Sequence, residues 1–278
     1  MKASASILSA AQIFDVTLLS CLQSHRVSDV WRVVQPNGQP AVLKAYHTDM
    51  GNEAAGFAYL DQFQGQSAAR IYRVQGRAVL MEDLPGPSLG DYARSGHDMA
   101  AAQILGEVAQ RLQNTAQSTA GLLPLEQVFQ PMFDAPVPAG FTAAQNMQFT
   151  TGRVLAQTLL QAQTDRVPLH GDLHHDNVLN TARGYCAFDA KGMLGDPAYE
   201  LANAFRHPRK QPDWTTDVPR TLRIAPVWAA ALGVTPRHLL SWAVAKVTLS
   251  IFWQARAGTI KPVEFQHLQT FDQARDRV

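Results

Sequence analysis

Eleven residues, EDLPGPSLGDY from Glu82 to Tyr92, divide this chain into two kinds of sequence. Two prolines and two glycines in so short a run break both strand and helix patterns. Before this run the pattern is strand-like. VWRVVQ (30–35) and AVLKAY (41–46) flank the turn residues PNGQP (36–40), which reads as a hairpin. ARIYRV (69–74) and RAVLME (77–82) flank Gln75-Gly76 in the same way. Between the two hairpins lies one short helical stretch, NEAAGFAYLDQF (52–63), with Asn52 as a candidate cap. After the divide the periodicity is helical. Residues 98–115 follow Asp98 as a cap, and 142–163 open with the capping box Thr142/Gln145. Residues 197–208 lie between prolines, 235–258 carry Thr235 as cap, Pro236 and a terminal Gly258, and an amphipathic helix starts near Pro262. The expected fold class is α+β and bilobal: a small β-rich N-lobe, residues 1–84, and a larger, mostly helical C-lobe, residues 85–278, joined by the proline–glycine linker.

Composition narrows the function classes. With 278 residues and 46% hydrophobic content the chain can bury a sizeable core. Charged residues are 17% of the chain, the net charge is +1, and no basic run is present, so the footprint of a nucleic-acid binder is missing. The two cysteines, Cys21 and Cys186, stand far apart and form no metal or redox pattern, which fits a reducing, cytoplasmic setting. The N-terminal apolar stretch is broken by Ser and Gln and soon meets Asp15, so no secretory signal is expected. The most apolar late segment, LLSWAVAKVTLSIFW (239–253), is too short to span a bilayer and carries Lys246, so it reads as a buried core helix rather than a membrane anchor.

The chemistry is concentrated in PLHGDLHHDN, residues 168–177, and the sequence that follows it. After Asn177 the run VLN, the turn TARG and the run YCAFD form a hairpin by pattern. Asn177 stands at its start and Asp189 at its end, so the two side chains come near each other. Asp172 lies five residues before Asn177 on the loop feeding the hairpin. Three oxygen-bearing side chains thus converge, and hard oxygen ligands are what Mg²⁺ takes, with phosphate oxygens completing its shell.

HGDLHHDN with an aspartate twelve residues beyond Asn177 resembles the catalytic loop and metal-binding aspartate of the aminoglycoside phosphotransferase family, which has a protein-kinase-like fold. The wording LHGDLHHDNVL…FDAKGMLGDPAYELA is most similar to the streptomycin 6-kinase, or aminoglycoside/hydroxyurea resistance kinase, branch. The resemblance is strongest over residues 168–208. It implies an ATP- and Mg²⁺-dependent transfer of the γ-phosphoryl group to a hydroxyl of an aminoglycoside-like small molecule. Asp172 matches the catalytic aspartate that orients the acceptor hydroxyl and takes its proton. Asn177 and Asp189 match the metal ligands. Lys44 matches the lysine on the α/β-phosphates and Glu53 the carboxylate that positions it. LMEDLPG matches the hinge, with backbone groups near Glu82 to Leu84 at the adenine edge. The stretch joining the first two strands, QSHRVSDVWRV (23–33), has no glycine; Ser28 or neighbouring N–H groups are expected to approach the phosphates. His174, Lys191 and Glu200 are candidates to line the acceptor pocket. Gly171 in place of an arginine after His170, AKG after Asp189, and no APE-like segment disfavour a regulated protein kinase and favour a small-molecule kinase.

Other readings stand beside this one. His170 and His175 read as loop-packing residues, and Asp196 before Pro197 as a cap or brace. Choline-, homoserine- or sugar-like alcohols are alternative acceptors. A pseudokinase would explain the glycine-free loop but not the complete set Asp172, Asn177 and Asp189. A metallohydrolase would use His170, His174 and His175, but their spacing matches neither HxHxDH nor HExxH and leaves Lys44 and Glu53 unexplained.

Overall fold

The computed structural model describes residues 2–278. It opens on a helix, α1 (Ala5–Phe14), capped by Ser4, and continues into an antiparallel sheet of five strands. These are β1 (Thr17–Ser24), β2 (Ser28–Val34), β3 (Pro40–Tyr46), β4 (Ile71–Gln75) and β5 (Ala78–Glu82), in spatial order β1-β2-β3-β5-β4. Helix α2 (Glu53–Asp61) connects β3 to β4.

Strand periodicity decides which way each side chain points. Ala41, Leu43 and Ala45 of β3 are buried with Trp31 and Val33 of β2 in a cluster with Ile7, Ala10 and Phe14 of α1. The alternate residues Val42 and Lys44 therefore face the opposite side. Lys44 pairs there with Val30 and Val79, and Val79 packs with Tyr46 and with Phe57 of α2. One face of the sheet is closed by α1, and the other presents Lys44 to the C-lobe.

Beyond the linker come α3 (Leu89–Tyr92), α4 (Asp98–Thr115), the two-residue β6 (Leu123–Pro124), α5 (Leu125–Asp134) and α6 (Ala143–Gln161). Strand β7 (Val167–Leu169) leads into the loop 170–177, followed by the hairpin β8 (Val178–Thr181) and β9 (Gly184–Ala187) and by β10 (Met193–Gly195). The chain ends in α7 (Pro212–Thr215), α8 (Val218–Leu232), α9 (Pro236–Arg256) and α10 (Val263–Arg275). Helix α9 is buried on nearly every side, with Trp242, Val247 and Ile251 all at 0% exposure, which explains its uniformly apolar sequence.

Several local expectations are corrected. The segment 23–33 is not one loop: β1 runs to Ser24 and β2 begins at Ser28, leaving a turn of His25, Arg26 and Val27. Residues 197–208 are not one helix but two 3₁₀ turns, Pro197–Tyr199 and Ala204–Arg206. Asp98 does not cap α4; its carboxylate binds Arg220 at 2.7 Å and 2.8 Å. Asn52 occupies the cap position of α2 but makes no capping bond.

Candidate active site

Lys44 crosses from the sheet to α2. Its Nζ donates to Glu53 Oε2 at 3.2 Å and lies 3.8 Å from Asp189 Oδ1. The other carboxylate oxygen of Glu53 accepts from Lys191 Nζ at 2.7 Å. Tyr46 also donates to Glu53 Oε2, at 3.3 Å, and its ring lies 5.1 Å from the Lys44 ammonium. Burial would raise the Glu53 carboxyl, but Lys191 and Lys44 outweigh it and hold the group below the usual carboxylate range.

This crowding needs two glycines. A Cβ on Gly56 would sit 1.9 Å from the Ala190 carbonyl oxygen, and one on Gly192 would sit 2.0 Å from that of Ala55. Helix α2 and the 190–192 segment touch backbone to backbone, and this contact sets Glu53 against Lys191.

The loop 170–177 is held from below. The His170 amide donates to Glu200 Oε2 at 2.8 Å, and Nε2 of the fully buried His170 ring lies 3.0 Å from the Phe188 carbonyl. Nδ1 of that ring accepts from the Asp172 amide at 3.3 Å. Burial lowers the His170 imidazole to about 4, so the ring is neutral and acts as a brace. The Asn177 amide donates to the Asp172 carbonyl at 3.0 Å, and among the described residues no hydrogen bond reaches its Oδ1. Phe188 N–H donates to Asn177 O at 3.0 Å, which puts Asn177 and Asp189 at the same end of the β8–β9 hairpin.

Oδ1 of Asp172 accepts from Asn203 Nδ2 at 2.7 Å. Asn203 Oδ1 accepts from Arg206 Nε at 3.0 Å, and Arg206 Nη1 binds Glu264 Oε2 at 2.7 Å. Burial would raise the Asp172 carboxyl, yet charge on His174, Lys246 and Lys191 holds it below the ordinary value. His174 is itself buried and neutral near pH 7, so the two lysines carry that effect there.

Asp172 stands in the wall of a cavity of about 640 Å³ between the second 3₁₀ turn, α9 and α10. His174 lines it too, as do the basic residues Arg206, Arg209, Lys210, Lys246 and Lys261. The acidic residues in that wall are Asp172 and Glu264.

Lys191, Glu200 and Ser28 fall elsewhere, while Glu82 and Leu84 stand at the linker. Lys191 is not in the cavity wall but at Glu53, because the α2 contact pins its backbone. Glu200 is buried under the loop at 4% exposure, and burial pushes its carboxyl up to about 8. Ser28 is buried in strand pairing opposite Tyr46, and its carbonyl accepts from His25 N–H at 2.9 Å. The Glu82 side chain turns away from the linker to form two 2.6 Å bonds with Arg183, and its backbone N–H donates to Arg70 O at 2.9 Å. Leu84 is half-buried in the linker beside Asp83, which binds Arg32 at 2.6 Å. Asp196 is the brace expected: it caps Pro197–Tyr199 through Ala198 N–H at 2.9 Å and binds His238 at 2.8 Å.

One cluster has a metal-like composition: ligand atoms of His174, Asp176 and His207 lie within 4.8 Å of one another. The two rings stack face to face, centroids 3.6 Å apart and 9° from parallel, so their in-plane lone pairs do not converge on one point. Asp176 already accepts from Arg94 at 2.8 Å, His207 at 3.2 Å and the Arg209 amide at 3.0 Å. Asp176 is a brace for the loop, and the metallohydrolase reading finds no site here.

Asn203, Arg206 and Lys246 were not legible as site residues. The available signal for Asn203 was a single polar residue in the apolar run Leu201–Phe205.

The fold and this site define a phosphotransferase of small molecules with a protein-kinase-like architecture. The chain belongs to the aminoglycoside/hydroxyurea antibiotic resistance kinase family, whose sequence profile matches residues 19–258. It is 35% identical over 231 residues to a streptomycin 3''-kinase of Klebsiella pneumoniae, covering 79% of this chain and 82% of that protein. The aminoglycoside phosphotransferase APH(4)-Ia, solved with ADP and hygromycin B, superposes with a TM-score of 0.69 at 13% identity, over 99% of this chain and 98% of the other. Choline kinase LicA from Streptococcus pneumoniae superposes with a TM-score of 0.66 at 11% identity, over 98% and 97%. At these identities the two solved structures show the fold. The chain is an aminoglycoside-type kinase, a transferase with an alcohol group as acceptor. Among the described residues no helix is long and apolar enough to cross a membrane.

Proposed function

We propose that this kinase transfers the γ-phosphoryl group of ATP, in a Mg²⁺-dependent reaction, to a hydroxyl of a small molecule held in the cavity at Asp172. One observation carries the reading. Lys44 lies 3.2 Å from Glu53 and 3.8 Å from Asp189 on the N-lobe side, while Asp172 lies in the wall of a separate cavity on the C-lobe side. A nucleotide and an acceptor then have distinct places with the transfer point between them.

Asp172 takes the proton of the acceptor hydroxyl as that oxygen bonds to the γ-phosphorus. The bond from phosphorus to the bridging oxygen breaks, and ADP leaves. Asn203 fixes the carboxylate for that proton transfer. Lys44, held by Glu53, binds the α/β-phosphates, and backbone groups of Asp83 and Leu84 take the adenine edge, the Glu82 N–H being held by the Arg70 carbonyl. Asn177 and Asp189 fit a hard cation: the amide oxygen has no hydrogen-bond partner among the described residues and the Asp189 carboxylate is 45% exposed. Mg²⁺ bound there supplies neutralising charge to the phosphate oxygens. A cytoplasmic setting, where ATP is plentiful, goes with this reading.

Likeness to the streptomycin 3''-kinase makes streptomycin the first acceptor to test. The basic cavity wall favours a second group of acceptors, small alcohols bearing an acidic group, because a polycation would meet more positive than negative side chains. The test is an ATP-consumption screen over aminoglycosides, choline- and homoserine-like alcohols, sugars and sugar acids, with phosphorylated product identified by mass. Mg²⁺-dependent turnover of one class is expected. A chain that binds no Mg-nucleotide and phosphorylates none of them would refute the reading.

A further inference from the structure

We propose that Lys191 is a phosphate-contacting residue that grips the γ-phosphoryl group of ATP from the C-lobe side. This rests on the kinase reading above and adds a group to it.

Glu53 is shared between two ammonium groups, with Lys44 on Oε2 at 3.2 Å and Lys191 on Oε1 at 2.7 Å. A single lysine suffices to pair one carboxylate, so the second cation calls for an account. An ammonium has three donors, and Glu53 takes one of them.

The backbone fixes where the others can reach. Lys191 N–H donates to the His170 carbonyl at 2.7 Å, and the Gly192 N–H reaches the same oxygen at 3.2 Å. His170 precedes Asp172 by two residues and Lys191 follows Asp189 by two. The lysine is therefore tied to both ends of the transfer path, the metal-binding corner and the catalytic aspartate. The contact between Gly56 and the Ala190 carbonyl keeps that segment from moving away.

The N-lobe supplies little to compete with it. The β1–β2 turn is three residues long, His25-Arg26-Val27, and has no glycine to bring backbone N–H groups close to a phosphate. A lysine reaching up from the other lobe provides the phosphate contact that the backbone N–H groups of such a turn do not.

A merely structural lysine would strap α2 to the C-lobe, and the γ-phosphate separates the two roles. Dissociation constants for Mg-AMP-PNP and Mg-ADP are measured by titration calorimetry on the full chain, for wild type, Lys191→Met and Lys191→Arg, with melting temperatures to confirm folding. Loss of one charge-assisted contact predicts AMP-PNP binding weaker by roughly ten- to a hundredfold in Lys191→Met, with ADP binding nearly unchanged. Lys191→Arg recovers part of the loss, and kcat falls in Lys191→Met while the acceptor KM stays put. Equal weakening of both nucleotides, or of neither, would overturn the assignment. Wild type that binds neither nucleotide would bring down the kinase reading itself, and Lys191 with it.

Discussion

Replacing Asn203 with alanine tests how the carboxylate of Asp172, the proposed proton acceptor, is held. Asn203 is buried at 6% exposure, and its Nδ2 donates to Asp172 Oδ1 at 2.7 Å. Its own oxygen is held by Arg206 at 3.0 Å, and Arg206 is held by Glu264 at 2.7 Å. The relay therefore ends on Asp172, and truncation cuts it at the last link. A hydrogen bond to a charged group is worth about 1.5–3 kcal/mol. Each ~1.4 kcal/mol lost from the transition state is about tenfold in rate. Asn203→Ala should therefore lower kcat roughly ten- to a hundredfold. Nucleotide binding should hardly change, because no bond from Asn203 reaches Lys44, Glu53 or Asp189. The assay is steady-state phosphoryl transfer at saturating Mg-ATP, with a thermal melt to show that the variant folds. Asn203→Asp adds a refinement: a second carboxylate facing Asp172 raises its pKa, so the acid limb of the pH–rate profile moves to higher pH. A folded Asn203→Ala with kcat within about twofold of wild type would refute the positioning role.

Two further outcomes concern stability. Glu200 has a folded pKa of about 8 against an ordinary 4.5, so the folded state holds a proton that the unfolded state releases. Its stabilisation is present below the unfolded pKa and is lost as pH rises through about 8; chemical denaturation should show wild type losing up to a few kcal/mol between about pH 5 and pH 8, and Glu200→Gln lacking that slope. Gly56→Ala gains ~1 kcal/mol of helix propensity but drives a Cβ to 1.9 Å from the Ala190 carbonyl, a backbone clash costing about 1–3 kcal/mol or more. The clash wins, so the melting temperature falls and ATP affinity weakens as Glu53 parts from Lys191; an unchanged or raised melting temperature would show that the contact is loose.

Much of this architecture was legible because local signals and tertiary contacts agree. The capping box at Thr142 is formed as read, and α4 spans the residues that its periodicity marks. The hairpin turn after Val34 and the β8–β9 hairpin also stand where turn chemistry puts them. The failures have physical reasons. β1 is an edge strand with register shifts and mostly exposed side chains, so it has no clean alternation. Helix α8 carries Pro219 at its first turn and Pro226 within it, and α5 carries Pro131, so both look broken in sequence. At the site, Lys44, Glu53 and Asp189 announce themselves as a set of charges, and the structure brings them together. Asn203 and Lys246 do not, because their relation to Asp172 comes from packing α9 and a 3₁₀ turn against the loop 170–177. Lys191 was visible as a charged residue, but its partner Glu53 lies 138 positions earlier in the chain, and no local pattern links them.

The most direct measurement compares chemistry with nucleotide binding in Asp172→Asn. The substitution keeps the side-chain shape and an oxygen for Asn203 to bind, and removes the proton acceptor together with its negative charge. Phosphoryl transfer should fall by about 10²–10⁴-fold, the usual worth of a positioned general base, while the dissociation constant for Mg-AMP-PNP stays near that of wild type. Turnover close to the wild-type rate in a folded Asp172→Asn protein would contradict the assignment of this carboxylate as the group that receives the acceptor's proton.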